Sequence, residues 1–307
     1  MFSEEVLLIL RIRATLVDAA RCWLNQNGYV EVHGPTLIPE IGCSPSHFEV
    51  SYFGKKACLS QGLQPYANYF VSGFSKVYTI APTFRAEVRK TKRHLSEFWR
   101  IEVTQCSDLD AMLLAEEELV VQICRKLAKT TCEESRVAES VRENLACIDK
   151  PFPKITYDEA VNLLKTDGFD IQWGARIDWQ MEHHLSLKFE KPFFIRDFPL
   201  SPQTIFYKAH PDRPELTLSA DLIAPEGYGE ISGCVQFVDD QREMMERMKQ
   251  EKIGLRGRNW YGDFMRANVA PQSGFILGIE RMLQWICRCE KITDVTAFPR
   301  GFGFIRL

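Results

Sequence analysis

The sequence comprises 307 residues, of which 45% are hydrophobic and 26% are charged, a globular composition with enough apolar residues for a large core. A formal net charge of −3 excludes a general positive field for nucleic acid, so any RNA contact would be local. Ten cysteines without a CxxC pair argue against a disulfide scaffold and a zinc site. An acidic N-terminus and the lack of an apolar run of membrane-spanning length argue against a membrane protein and predict a cytoplasmic chain.

Periodicity and turn residues divide the first half of the chain. Apolar residues recur at helical spacing as far as Leu24, and Gly28 is a natural helix end. Gly34 and Pro35 break the strand that follows. The predicted elements are a helix over 4–26, a strand over 29–32, a hairpin over 47–60, and strands over 77–84 and 97–106.

The second half alternates helical stretches with short apolar runs. The predicted helices cover residues 110–146, 155–165, 239–252 and 277–289. The predicted strands cover residues 193–195, 216–223 and 235–238. Strands in runs separated by helices are typical of an α+β fold with a largely antiparallel sheet. Since no linker, repeat or low-complexity segment interrupts the chain, residues 1–307 are predicted to form one domain.

A charged loop between two predicted strands is the most informative stretch. Residues 84–98 place five basic side chains and His94 between the strand ends. A solvated charged turn is the simpler interpretation. The alternative is a polyphosphate site, where Arg85 binds one phosphate through two hydrogen bonds while the loop basics and His94 hold the tail phosphates.

Two further stretches carry candidate site residues. Residues 274–281 are either a glycine-containing joint between a strand and a helix, or flat backbone against an adenine with Arg281 near a phosphate. Residues 221–230 are either a surface turn or a source of two oxygen ligands, Asp221 and Glu230, for a Mg²⁺ ion that bridges nucleotide phosphates.

Together and in this order, these stretches resemble the three signature motifs of class II aminoacyl-tRNA synthetases. Residues 28–37 with Pro35 resemble motif 1, residues 84–98 motif 2, and residues 274–281 with 298–300 motif 3. The subtype resembles the asparaginyl and aspartyl enzymes at 93–99, 151–157, 173–174 and 292–300. The resemblance covers essentially the whole chain. It implies a six- or seven-stranded antiparallel sheet flanked by helices, and a homodimer formed through motif 1.

The resemblance also implies roles in making an aminoacyl-adenylate from ATP and an amino acid. Arg85 would hold the α-phosphate and the substrate carboxylate, and Glu230 with Asp221 would bind Mg²⁺. Ile276 stands where motif 3 usually has a glycine. The remaining ATP-binding positions implied are Glu87, Arg93, His94, Leu95, Gly278, Ile279, Glu280 and Arg281.

The side-chain pocket departs from the family pattern. Counted from Glu230 without a gap, the arginine that grips the substrate side chain in the family is replaced by Phe237. An alternative alignment with a five-residue insertion would put Arg242 there. The gapless alignment is preferred because it also matches Gln236 and the segment 247–249.

The other anchors of the substrate are also changed. In the segment that contains Gln64, the lysine of the aspartyl enzymes is Ala67, and the glutamate of the asparaginyl enzymes is Asn68. The glutamate that holds the substrate ammonium is replaced by Gly42, with Glu40 two residues away. Since a polar group left unpaired in a buried pocket costs several kcal/mol, roughly, aspartate and asparagine are predicted to be poor substrates.

Three functions remain open. The first is a free-standing ligase that passes its adenylate to a non-tRNA amine or carrier, for which residues 226–232 also resemble an archaeal asparagine synthetase. The second is an asparaginyl- or aspartyl-tRNA ligase without the N-terminal anticodon-binding barrel. The third is a non-catalytic dimeric paralogue. Retention of Arg85, Glu87, Glu230 and Arg281 argues against the third, and the low net charge and the expected lack of a barrel make tRNA a disfavoured partner.

Overall fold

A computed structural model describes residues 3–39, 46–63, 66–88, 91–130, 136–146, 148–201, 204, 206–250 and 270–305. Its helices are α1 (Glu4–Gln26), α2 (Tyr66–Phe74), α3 (Leu109–Thr130), α4 (Arg136–Ala146), α5 (Tyr157–Thr166), α6 (Trp179–Ser186), α7 (Gln241–Gln250) and α8 (Ile279–Ile286), followed by a 3₁₀ turn at Ile292–Val295. Its strands are β1 (Val30–Glu31), β2 (Leu37–Pro39), β3 (Glu49–Tyr52), β4 (Lys55–Leu59), β5 (Lys76–Phe84), β6 (Glu97–Gln105), β7 (Lys154–Thr156), β8 (Phe193–Arg196), β9 (Ser219–Ala224), β10 (Gly229–Gln236), β11 (Ser273–Gly278), β12 (Arg300–Gly301) and β13 (Phe304–Ile305).

One large sheet organises the molecule. Within the described residues it has ten strands, eight of them in the order β1-β5-β6-β11-β10-β9-β8-β7, with β12 and β13 joined at β6. Its central pairs are antiparallel, and only the outer pairs β1–β5 and β7–β8 are parallel. A separate small sheet has the order β2-β4-β3. The predicted α+β fold with a largely antiparallel sheet is therefore confirmed.

The back face of the sheet is covered by helices α1, α3 and α8. Helix α1 begins at the Ser3 cap, whose side chain accepts from the backbone of Val6, and turns one apolar side toward the sheet. Leu16, Leu24 and Trp285 join the buried side chains of the strands in the largest core cluster. This face carries most of the apolar burial that stabilises the fold.

Within the described ranges, the front face is covered at its two ends. Helix α2 packs Ala67 and Val71 against Val77 of β5 at one end. Helices α5 and α6 pack against β8 and β9 at the other end, through a second cluster that includes Leu185 and Ile223. The central strands β6, β11 and β10 lie between these covers, so polar side chains on their front face can line a site.

The helix predicted at 4–26, the hairpin and the strands β5 and β6 agree with this structure. The helix predicted at 110–146 is divided into α3 and α4, and strands β2, β11, β12 and β13 were not predicted. Other elements differ in their bounds. Strand β10 begins at Gly229, so the prediction that the strand starts at residue 235 is wrong. The strand predicted at 216–223 is β9, which begins at Ser219. Residues 155–165 begin as strand β7, and a capping box between Thr156 and Glu159 then starts helix α5. Helices α2 and α6 were not predicted at all.

No helix in the described ranges is both long enough and apolar enough to cross a membrane.

Candidate active site

Arg85 lies directly after β5, where the strand leaves the sheet. Its backbone N–H donates to the carbonyl of Ser96 at 2.9 Å, and its guanidinium lies over the ring of Phe98 at 5.8 Å. Burial, followed by the charges of Arg100 and Arg281, lowers the pKa of Arg85. Several cations therefore converge on the front face, as an anion-binding site requires.

A β-bulge in β10 decides which way Glu230 faces. Glu230 is paired with Ile223, whereas Ser232 is already paired with Leu222, so the intervening residue is extra. Leu222 faces the core under the back of the sheet. The bulge therefore separates Glu230, which faces the front, from Ser232, which faces the back.

Glu230 and Arg281 form the central ion pair of the site. Nη1 of Arg281, in the first turn of α8, is 2.9 Å from Oε2 of Glu230 and donates to its carbonyl oxygen at 3.1 Å. Burial opposes ionisation of Glu230, but the charges of Arg281, Arg93 and Arg85 hold its pKa below the usual value. Glu230 is thus an anion at neutral pH, in a site where cations predominate.

Asp221 on β9 completes a pair of acids on the front face. It lies opposite Gly233 of β10, where an added Cβ would be 3.3 Å from the Asp221 carboxylate. Burial, followed by the negative charge of Glu230, raises the pKa of Asp221 well above its usual value. Two facing carboxylates that disfavour each other's charge have the donor atoms that suit a hard divalent cation.

The described residues fit a cation that is shared with a ligand. No group of three or more His, Cys, Asp or Glu side chains is placed to hold a metal ion in the ranges the structure describes. Asp221 and Glu230 offer two carboxylates on the front face, and Mg²⁺ in proteins usually takes further ligands from phosphate oxygens and water.

Arg93 lies beside this pair and is held by Glu182 of α6. Nη1 of Arg93 is 3.1 Å from Oε2 of Glu182, and Nη2 donates to the carbonyl of Glu230 at 2.8 Å. The same Oε2 accepts the backbone N–H of Glu230 at 3.1 Å. Burial, then the charge of Glu230, raises the pKa of Glu182. Glu182 could not be identified from the sequence, because its partners Arg93 and Glu230 are 89 and 48 residues away along the chain.

His94 lies in the site as an uncharged side chain. Burial, followed by the charge of Arg281, lowers its pKa to about 4. Its Nδ1 is 2.7 Å from the hydroxyl of Thr91. His94 can therefore exchange hydrogen bonds with a ligand, but at neutral pH it does not supply the positive charge that its place in a basic loop suggests.

The described cations of the basic loop do not all face the acid pair. Lys92 is paired with Glu290, near the C-terminal 3₁₀ turn. Arg89 and Lys90 lie outside the described residues. The negative charge of Glu87 opposes the lowering of pKa at Arg85 and at His94, so Glu87 lies within electrostatic reach of both.

Tyr207 is a second site residue that the sequence analysis missed. It forms an isolated β-bridge with Phe237. Burial, followed by the charges of Asp221 and Glu230, raises its pKa to about 12. Its hydroxyl therefore stays protonated near the acid pair. A single tyrosine in a segment without apolar periodicity gives no pattern that would mark it from sequence.

Three of the predicted ATP-binding residues have side chains that are buried in contacts between helices and strands. Leu95 and Ile279 belong to the main core. Glu280 is buried and accepts from Nη1 of Arg13 at 2.7 Å and from the backbone N–H of Trp99 at 2.9 Å. These contacts give the three side chains a role in positioning motif 2 and α8, while Gly278 precedes the helix directly behind Arg281.

Phe237 lies on the front face of the sheet. Its Cε2 is 3.5 Å from the position a Cβ would take on Gly274 of β11. The alternative residue Arg242 is exposed on α7, with its N–H bonded to Asp240. The assignment of Phe237 to the substrate side chain stays a prediction.

The other predicted substrate positions lie in helix α2 or outside the described residues. Ala67 is buried in the α2 cluster. Asn68 is also buried and donates from Nδ2 to Oε1 of Gln272 at 2.7 Å. Glu40 and Gln64, like Gly42, lie outside the described residues.

The chain is similar to known proteins over most of its length. The family model described as tRNA synthetases class II (D, K and N) matches residues 1–301. An asparagine–tRNA ligase from Thermococcus gammatolerans is 36% identical over 303 residues, which cover 97% of this chain and 70% of that protein. One from Desulforamulus reducens is 37% identical over 295 residues, which cover 95% and 68%.

Solved structures agree with these sequence matches. The crystal structure of asparaginyl-tRNA synthetase from Pyrococcus horikoshii complexed with asparaginyl-adenylate superposes with a TM-score of 0.90 at 34% identity. The match covers 99% of this chain and 70% of that one. A putative aspartyl-tRNA synthetase from Leishmania major, at 22% identity and a TM-score of 0.83, shares the fold.

Proposed function

Because this chain belongs to the class II tRNA synthetases of the D, K and N group, we propose that it is an asparaginyl-tRNA synthetase-like ligase that uses ATP to form an aminoacyl-adenylate. The observation that carries this proposal is the convergence of Arg85, Arg93 and Arg281 around Glu230 and Asp221 on the open centre of the sheet. Three cations and an acid pair match the needs of a Mg²⁺-bound polyphosphate.

In the proposed reaction the carboxylate oxygen of the amino acid attacks the α-phosphorus of ATP. A new P–O bond forms, the bond to the bridging oxygen breaks, and pyrophosphate leaves with its electron pair. Arg85 would neutralise the charge that develops at the α-phosphate, and Arg281 would bind the departing phosphates. No side chain forms a covalent bond, so positioning and charge stabilisation supply the rate enhancement.

Asp221 and Glu230 would hold the Mg²⁺ ion that the family implies. The ion supplies charge neutralisation for the phosphates when it is bound. The raised pKa of Asp221 supports this assignment, because a divalent cation would relieve the repulsion between the two carboxylates. In the protein alone, Arg281 fulfils that role for Glu230.

The names of the relatives favour asparagine and tRNA as the substrates. The test is ATP–pyrophosphate exchange with each of the 20 standard amino acids in turn, followed by aminoacylation of total tRNA with any that respond. Exchange with asparagine alone, and charging of tRNA, would support an asparaginyl-tRNA ligase. An Arg85→Ala variant controls for contaminating synthetases. Absence of exchange with every amino acid would overturn the proposal in favour of a non-catalytic paralogue.

A second candidate function is favoured by the contacts of Phe237. An aromatic ring over Gly274, with Asn68 engaged by Gln272, suits a less polar side chain than that of asparagine. In this version the ligase activates such an amino acid and passes it to a non-tRNA amine or carrier. Exchange with an apolar amino acid, without tRNA charging, would support it. A Phe237→Arg variant should then lose that amino acid.

We further propose that the enzyme works as a homodimer through residues 28–37, as the family resemblance implies. Sedimentation equilibrium of the purified chain tests this. A monomer at micromolar concentration would contradict it.

A further inference from the structure

The backbone of Glu230 is held by charged side chains at the peptide groups on both sides of its Cα. The N–H of Glu230 donates to Oε2 of Glu182 at 3.1 Å. The carbonyl of Glu230 accepts from Nη2 of Arg93 at 2.8 Å and from Nη1 of Arg281 at 3.1 Å. Because Nη1 of Arg93 and Oε2 of Glu182 are also 3.1 Å apart, these two side chains close a ring with the Glu230 backbone. We call Glu182 and Arg93 the clamp pair.

The clamp pair lies at the bulge, in the part of β10 that precedes its pairing with β11, which begins at Ser232. Between Glu230 and Ser232 the pairing with β9 shifts by one residue. An irregular strand leaves backbone groups without ladder partners. The clamp pair replaces those partners, so the direction of the Glu230 side chain depends on two residues outside the strand.

The local packing is too close for this arrangement to be incidental. A Cβ on Gly229 would be 2.5 Å from Nη1 of Arg93 and 2.8 Å from Oε2 of Glu182. Both side chains of the clamp pair are mostly buried, with 14% of Arg93 and 13% of Glu182 exposed. The Nε of Arg93 is buried without a hydrogen-bond partner in the described part of the chain. Arg93 is thus held through its two terminal nitrogens alone.

We propose that Glu182 is a positioning residue for the cation site, which acts by fixing the backbone N–H and carbonyl of Glu230 together with Arg93. This inference rests on the proposed function, since it assigns Glu182 to the Mg²⁺ site of that reaction. Glu182 does not touch the reacting atoms. Its effect is to keep the Glu230 carboxylate facing Asp221 while Arg281 exchanges its partner for a phosphate. Groups that orient metal ligands in this way change metal affinity by roughly 10–100-fold when removed.

The experiment measures the dependence of exchange on Mg²⁺ and on the amino acid separately. In Glu182→Ala we expect the half-saturating Mg²⁺ concentration to rise about tenfold, with the KM for the amino acid unchanged. Glu182→Gln keeps an oxygen that can accept the Glu230 N–H but lacks the charge that holds Arg93. It should therefore show a smaller rise, and it guards against a folding defect in the alanine variant.

A matched control is Glu117→Gln on α3. Glu117 is more deeply buried than Glu182 and accepts a backbone N–H, that of Phe152, at 2.7 Å, but it lies under the back of the sheet. This variant should leave the Mg²⁺ dependence unchanged. If Glu182→Ala lowers kcat and thermal stability without moving the Mg²⁺ dependence, Glu182 only anchors α6 and the proposal is wrong.

A second readout does not need turnover. Mn²⁺ binding in the presence of ATP, followed by electron paramagnetic resonance, should weaken about tenfold in Glu182→Ala. Hydrogen exchange at the Glu230 amide should also become faster. A wild-type protein that catalyses no exchange would refute the proposed function alone, whereas unchanged Mn²⁺ binding and amide protection in Glu182→Ala would refute the role of the clamp pair.

Discussion

At the scale of single residues, Arg85 is the group whose chemistry is hardest to replace. Its planar guanidinium lies over Phe98 and faces a cluster of cations. Lysine keeps the charge but loses the fork geometry and the stacking on the ring. We expect Arg85→Lys to lower kcat for exchange by roughly 100-fold, the effect of removing one transition-state donor. Pre-steady-state formation of the adenylate measures this.

The control for that change is Lys92→Arg, in the same loop but paired with Glu290. It should retain nearly full activity. A rate loss of similar size in both variants would mean that the loop, and not the Arg85 guanidinium, is the sensitive part.

Gly229 is constrained both by its backbone conformation and by the side chains of the clamp pair next to it. Its φ of +72° lies in the left-handed region that favours glycine. An added Cβ would also collide with the clamp pair. We expect Gly229→Ala to lower thermal stability and to abolish most of the exchange activity, as measured by calorimetry and by the exchange assay.

Gly174 offers a matched control for this effect. Its φ is +86°, but a Cβ there would meet nothing within 4 Å. Gly174→Ala should therefore show the backbone strain alone, about 1 kcal/mol, with activity retained. Equal loss of activity in both variants would rule out the collision as the cause.

At the scale of elements, Glu280 joins three parts of the molecule. From α8 it reaches Arg13 of α1 and the backbone of β6 at Trp99. Breaking a buried pair by removing one partner leaves an uncompensated charge and costs about 3 kcal/mol. We expect Glu280→Ala to lose about that much stability in urea unfolding, and Glu280→Gln to lose less.

An exposed ion pair serves as the comparison. Lys56 and Glu49, in the β3–β4 hairpin, are mostly exposed at 67% and 55%. Glu49→Ala should change stability by less than about 0.5 kcal/mol. If Glu280→Ala is equally mild, α1 and α8 are held by apolar packing alone.

The elements that the sequence predicted well are those with a long periodic pattern. Helix α1 repeats its apolar side over 23 residues, and β5 and β6 are continuous strands of 9 residues each. Helices α2 and α6, with 9 and 8 residues, are too short for such a pattern. Strand β10 was placed too late because Gly229 and Gly233 dilute its apolar character, and because a bulge breaks its alternation.

The candidate site divides in the same way. Arg85, Glu230, Arg281 and Asp221 were predicted from a family resemblance, and the structure brings them to one face. Glu182 and Tyr207 belong to segments without a recognised pattern, and only the fold carries them to the site. The neutral state of His94 could not be predicted either, because it depends on burial and on Arg281.

At the scale of the whole molecule, the two faces of the sheet have different tasks. The back face holds a fully buried acid, Glu116, whose two oxygens lack hydrogen-bond partners within the described residues. Burial raises its pKa to about 8, and the nearby Ser232 hydroxyl offsets only part of that effect. Glu116 is therefore protonated in the folded protein at neutral pH.

This buried acid makes stability depend on pH. The unfolded chain releases the proton near pH 4.5, whereas the folded protein keeps it until about pH 8. The contribution of Glu116 to the free energy of unfolding is therefore full below pH 4.5. It falls by roughly 1.4 kcal/mol per pH unit between pH 4.5 and about pH 8. Thermal midpoints at pH 5.5 and pH 8 should differ less in Glu116→Gln than in the wild type.

If Glu116→Gln shows the same fall as the wild type, another group releases the proton. Asp221, with its raised pKa on the front face, would be the next to examine by substitution.

The bulge in β10 has one more consequence, which concerns parity. In a regular strand, residues 230 and 232 would point the same way, and an acid placed for catalysis would share its face with the core-facing Ser232. The extra residue, Ile231, changes an even spacing into an odd one. Because of this one residue, β10 directs the Glu230 carboxylate to the front face and the Ser232 side chain to the core. Without Ile231, the residues on one side of the bulge would each point to the opposite face of the sheet.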